Sequence, residues 1–131
     1  MICAVIDTNV LVSAVLTKHP DTATARVLDY IFNKIIVPIY NDVIIAEYMD
    51  VMHRPILHIL PEEAKRVISF IQLNGMAANR VTYNADMPDE KDRVFYEVSL
   101  SQEDSYLVTG NKKHFPITPK VVSPAEMVAI V

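Results

Sequence analysis

A single cysteine, Cys3, excludes an internal disulfide. The 131-residue chain must therefore be held by its core, and a thiol inside an apolar run fits a reducing compartment. No basic segment precedes the first apolar run, and Asp7 interrupts that run before it reaches the length of a signal core or a membrane span. The chain thus reads as cytoplasmic, with no membrane partner. A basic surplus is also missing: 16 acidic residues stand against 12 Lys and Arg, for a formal net charge of −4, unlike the balance of bulk nucleic-acid binders. This does not exclude a nucleic-acid ligand, because a carboxylate site supplies several of those charges and a divalent cation reverses the sign a phosphate meets. Zinc-ligand spacing is absent from the four histidines, His19, His53, His58 and His114. They read as surface or loop residues, with only His114 near a candidate site. There is no repeat and no low-complexity linker.

What is present begins with a strand. Ile2 to Ile6 is a continuous apolar run, as in a parallel strand buried on both faces, and it leads directly into Asp7-Thr8-Asn9. Ligands of such sheets gather at the carboxyl ends of strands, so Asp7 stands where chemistry is usually done. Capping of the helix that follows, Val10 to Leu16, is the other reading of the same residue.

Helical spacing of Ala25, Leu28 and Phe32 predicts a second helix opening at Asp21-Thr22, and Ile35-Ile36-Val37, stopped by Pro38, a short second strand. Asn41 caps a third helix from about Asp42 to His53, ended by the proline at position 55. Pro61-Glu62-Glu63 starts a fourth that stops at Gly75, with Val67, Ile68, Ile71 and Asn74 on one face. Arg80 to Tyr83 reads as a strand, Asn84 to Asp92 as an acidic stretch leading into a helix through Phe95 and Val98, and Tyr106 to Gly110 and Lys120 to Val122 as further strands. Ser123-Pro124-Ala125-Glu126 is a capping box opening the last helix. Alternating strands and helices imply an α/β fold, one domain over residues 1–131 with a central parallel sheet and helices on both faces. The hydrophobic share, 51%, leaves room for a face covered by a partner or a second copy in a homodimer.

Two further acids sit beside apolar positions. Glu47 lies in the third helix between Val43-Ile44 and Val51, and Asp92 would share a helical face with Phe95 and Ser99, one turn after Asp89. A buried carboxylate requires a cation, a donor or a raised pKa. Solvent exposure is the competing reading for Glu47, and a solvated, helix-starting acid run is the better reading for Asp89 and Glu90. Asp7, Glu47 and Asp92 together offer oxygen donors suited to a hard cation, Mg²⁺ or Mn²⁺.

The order of these segments resembles the PIN-domain nucleases, in particular the toxin components of toxin–antitoxin pairs. Val5 to Ala14 is similar to that family's first motif, the Glu47 helix followed by Arg54-Pro55 to its second, and Asp89-Glu90-Lys91-Asp92-Arg93-Val94-Phe95 to its third, with Glu90 in place of a proline. Tyr106 to Asn111 with Phe115 resembles the fourth, in which Asn111 stands where an aspartate is usual. The resemblance implies a ribonuclease whose acids, Asp7, Glu47 and Asp92, hold Mg²⁺ or Mn²⁺, with Asn111 a weaker, uncharged fourth member of the catalytic set. Asp104 is the nearby acid that could compensate, although it precedes the strand. Thr8, Asn9 and Thr109 would orient the carboxylates. Arg54, Lys112, Lys113 and His114, with Lys91, would hold the RNA backbone, and an antitoxin protein would be the partner. Two other readings remain at this point. An aspartyl phosphatase would use Asp7 as nucleophile but usually has a second acid two residues on, where Asn9 stands; a PIN fold that binds RNA or protein without cutting would account for Asn111.

Overall fold

The computed structural model describes residues 1–131. The elements run β1 (Ile2–Ile6), α1 (Thr8–Leu16), α2 (Ala23–Phe32), β2 (Ile36–Tyr40), α3 (Asp42–Met52), α4 (Pro61–Asn74), β3 (Met76–Ala77), α5 (Arg93–Ser99), β4 (Tyr106–Val108), β5 (Val121–Val122) and α6 (Pro124–Ile130). All five strands are parallel, in the order β3-β2-β1-β4-β5. Successive strand residues face opposite sides, and Ala4, Val5 and Ile6 are all fully buried. Both faces of β1 are therefore covered, the expected consequence of an uninterrupted apolar strand. α2 and α4 pack on β2, and α5 packs on β1, β2 and β4. No helix is long and apolar enough to cross a membrane.

Local signals placed most boundaries. Thr22 and Asn41 cap α2 and α3, accepting from the backbone N–H of Ala25 and Ile44. The Ser123 capping box at α6 forms in both directions. Three expectations need correction. Pro38 does not stop β2 but lies inside it, opposite Ala4 of β1. On the other side β3 pairs only from Ile39 onward, so the missing proline N–H falls where the ladder has no partner for it. Asn74 is exposed, although it continues the Val67, Ile68 and Ile71 face that is buried.

Arg80 to Tyr83 is not a strand, because its donors are taken by one residue of α5, Glu97. Arg80 Nε and Nη2 both lie 2.8 Å from Glu97 Oε1, the Tyr83 N–H donates to Oε2 at 2.8 Å, and the Val81 N–H donates to the Glu97 carbonyl at 3.0 Å. Glu97 is buried, and the Tyr83 N–H together with Arg80 holds its carboxyl below the usual range. Glu97→Gln removes the charge from a carboxylate that meets three donors. We expect a loss of about 2 kcal/mol, the scale of a hydrogen bond to a charged group, read as a lower urea midpoint with unchanged slope; an unchanged midpoint would remove Glu97 as the anchor of this segment.

Candidate active site

β1 and β4 are neighbours, and from them the chain departs in opposite directions across the sheet, toward β2 on one side and β5 on the other. This is a topological switch point, where loops after two adjacent strands diverge and leave a crevice. The loops here are Asp7-Thr8-Asn9 after β1 and Thr109-Gly110-Asn111 after β4. A cleft of about 520 Å³ opens beside them, lined among others by Asp7, Thr8, Asn9, Glu47, Asp89, Asp92 and His114.

Asp7 occupies the N-cap position of α1 but makes no side-chain cap bond. Its carboxylate is held by the neighbouring loop instead. The Asn111 N–H donates to Thr109 Oγ1 at 3.0 Å, leaving the hydroxyl proton of the fully buried Thr109 to reach Asp7 Oδ2 at 2.7 Å. In the same way the Gly110 N–H donates to Asn9 Oδ1 at 3.1 Å, which turns Asn9 Nδ2 toward Asp7 Oδ2 at 3.3 Å. Asp7 is only 6% exposed. Burial pushes its pKa up to about 6, with Asp92 and Glu47 adding repulsion and the Thr109 hydroxyl opposing.

Glu47 comes to the cleft because α3 is bolted to the end of β1. Tyr48, fully buried, donates its hydroxyl proton to the Ile6 carbonyl at 2.5 Å, just past the last β1–β2 pair, Val5 with Ile39. The core stripe of α3 is Ile44, Tyr48 and Met52, so Glu47 sits at its edge, half-buried, where Oε2 accepts from the Thr8 hydroxyl. Asp92 closes a 3₁₀ turn, Glu90–Asp92, at the start of α5. The ring of Phe95, one turn on, meets Tyr48 with centroids 6.4 Å apart, which ties the helices that carry Glu47 and Asp92. Burial, with Asp89 beside it, raises the Asp92 pKa, while His114 opposes.

Of the cations considered for a substrate, Arg54 and Lys91 line the cleft, with Arg54 paired to Asp50 at 3.1 Å on the surface. Lys112 and Lys113 do not; Lys112 Nζ bonds Glu126 of α6 at 2.9 Å, and both border a separate depression near Pro116. Asp104 lies in the turn entering β4, at the strand's opposite end, and does not line the cleft. Glu90, in the position of the usual proline, pairs with Arg93 through both carboxylate oxygens at 2.7 and 2.6 Å, and Arg93 also donates to the carbonyls of Tyr83 and Ala85. The departure at Glu90 thus has a structural partner.

Asp89, read from sequence as a solvated helix-starting acid, and His114, read as a loop residue and a candidate contact to the RNA backbone, both line the cleft. Asp89 accepts from the Lys91 N–H at 3.1 Å and, with Asp92 and His114, forms a cluster whose donor atoms lie within 4.8 Å of one another. The one-turn spacing of Asp89 and Asp92 was a visible signal, but the convergence of His114 from beyond β4 was not. The family model described as PIN domain matches residues 3–113 of this chain. No curated protein and no solved structure matches it.

Proposed function

The chain belongs to the PIN-domain family, whose members are generally nucleases, and from that premise we propose that residues 1–131 form a metal-dependent endoribonuclease domain, the cytoplasmic toxin of a toxin–antitoxin pair. The observation that carries this reading is the convergence of Asp7, Glu47 and Asp92, from three separate elements, on one cleft, with the innermost acid raised to about 6 by burial and by the other two. Carboxylates that repel one another in a desolvated crevice fit a divalent cation, and the all-oxygen set of these three suits Mg²⁺ or Mn²⁺. Asp7 and Asp92 would be its principal ligands and Glu47 a more distant one. When bound, such an ion lowers the pKa of an attacking water and neutralises charge on the phosphoryl oxygens.

The rest is done by the chain. Thr109 and Asn9 fix the Asp7 carboxylate through donors whose directions are set by the Asn111 and Gly110 amides, and Thr8 fixes Glu47. Glu47, half-buried and held at one oxygen, accepts a proton from the nucleophile at the other. Arg54 and Lys91, at the rim, meet the flanking phosphates. In this reading Lys112 and Lys113 contribute a basic surface outside the cleft.

The test is incubation of the purified protein with a mixed RNA pool and Mg²⁺, Mn²⁺ or EDTA. Products with either ion and none with EDTA are the expected result. Metal uptake without cleavage of any RNA would support the second reading, a PIN fold that binds RNA or a protein without cutting, which the uncharged Asn111 favours; regained cleavage in Asn111→Asp would then identify the defect. The toxin role adds a small inhibitory protein as partner and growth arrest on expression, relieved by the product of an adjacent gene; absence of arrest would remove it.

A further inference from the structure

His114 is a cleft residue to which the proposed chemistry gives no task. It ends the 3₁₀ turn Lys112–His114 that follows β4, and its ring turns into the cleft while the two lysines before it turn away. Nδ1 lies 3.1 Å from Asp92 Oδ2 and 3.9 Å from Asp89 Oδ2. An ion with bonds of about 2.1 Å sets adjacent octahedral ligands about 3 Å apart, so imidazole and Asp92 already have the spacing of two donors on one ion. Asn111 Nδ2 lies 2.8 Å from Nε2 and 3.3 Å from Nδ1, so this amide rests against the ring near both nitrogens and holds it beside Asp92. Without a cation the same ring donates from Nδ1 to Asp92.

We infer that His114 binds the active-site cation through Nδ1, positioned by Asn111, and that this nitrogen makes the site favour a first-row transition ion, Mn²⁺, over Mg²⁺. The inference rests on the nuclease-site reading above. Mg²⁺ keeps to oxygen ligands, whereas transition ions accept imidazole. None of the other three histidines lines the cleft, so a nitrogen detected on the bound ion identifies His114.

The experiment is electron spin-echo spectroscopy of Mn²⁺ bound to the full chain, with Mn²⁺ and Mg²⁺ affinities from calorimetry, for the wild type, His114→Gln and Asp7→Asn. The wild-type spectrum should show modulation from a directly bound ¹⁴N that is missing in His114→Gln. Mn²⁺ affinity should fall about 10–100-fold in His114→Gln, the scale of a lost metal-site group, with Mg²⁺ affinity nearly unchanged. Asp7→Asn should weaken both ions. Bound Mn²⁺ without nitrogen modulation in the wild type, or equal losses for both ions in His114→Gln, would overturn the role of His114 and leave the nuclease reading standing. Failure of the wild type to bind either ion would overturn both. The side chain of His114 is 40% exposed, so the variant should keep the wild-type fold; the wild-type spectrum decides the question even if it does not.

Discussion

Asp7→Asn is expected to remove detectable RNA cleavage, a loss of about a thousandfold or more on the scale of single catalytic groups, while raising the melting temperature of the metal-free protein. The two effects have one cause. Asp7 is buried against Asp92 and Glu47, and its pKa stands at about 6 against 3.8 for a free carboxyl. The folded chain therefore holds the Asp7 proton more tightly than the unfolded chain does. Stability falls with rising pH wherever the folded state carries the extra proton. Below pH 3.8 both states are protonated and Asp7 has no effect; between 3.8 and about 6 the penalty grows, and above about 6 it is complete. At 1.36 kcal/mol per unit, the full penalty is about 3 kcal/mol. An asparagine keeps an acceptor for the Thr109 hydroxyl without the charge, so about 1–3 kcal/mol should return at neutral pH.

Thermal unfolding in EDTA from pH 3.5 to 8 checks this directly. The variant's advantage should be absent at the acid end and largest above about pH 6. Added Mg²⁺ or Mn²⁺ should then raise the wild type more than the variant, because a ligand stabilises the state that binds it by more the tighter it binds. An advantage independent of pH would mean that Asp7 ionisation is not the source. Retained metal-dependent cleavage would dismiss Asp7 as a ligand.

Gly75→Ala carries the second large effect, and it acts on the fold. Gly75 closes α4, where its N–H donates to the Ile71 carbonyl at 2.8 Å, and leads at once into β3. Its φ of −88° and ψ of −170° suit any residue, so backbone preference is not at issue. Space is: an added Cβ would lie 2.5 Å from the Ile71 carbonyl oxygen, and closer still to that of Pro38 in β2. Both obstacles are backbone, and neither can rotate aside. Relief requires α4 to shift from β2 or β3 to leave the sheet. A loss of about 3 kcal/mol or more is expected, at or beyond the upper range for overpacking. It should grow from alanine to valine and should not be relieved by asparagine, which would help only at a left-handed position. Chemical denaturation of the three variants measures the order; a tolerated alanine would show that the helix end yields easily.

Features specified within a few residues were legible in the sequence. The buried run Ile2–Ile6, the Asn41 and Ser123 caps and the stop at Gly75 each depend on neighbours along the chain. Pro38 misled because exclusion of proline from a strand depends on which side its nitrogen faces and on what lies there, and β3 is too short to reach it. Arg80 to Tyr83 misled because its β-prone composition carries no sign of Glu97, 14 residues beyond Tyr83, which takes the donors a strand would have used. The same limit applied to the site. Asp7 announced itself by position, and Glu47 and Asp92 by their apolar neighbours. The closeness of Asp89 and His114 depends on a turn after β4 folding back over the start of α5. No spacing in the chain encodes that.

The pairing of β1 with β4 has a consequence during synthesis. Asp7 is among the first residues made, yet the hydroxyl that orients it belongs to a residue 102 positions later, and the adjoining crevice wall arrives with the same late segment. A ribosome-bound fragment that ends before Tyr106 has the three acids and β2 on one side of β1, but it lacks β4 on the other side and Thr109, the residue that orients Asp7. On the ribonuclease reading proposed above, the site is therefore incomplete through most of the chain's own translation and is assembled only when the two distant parts of the chain meet.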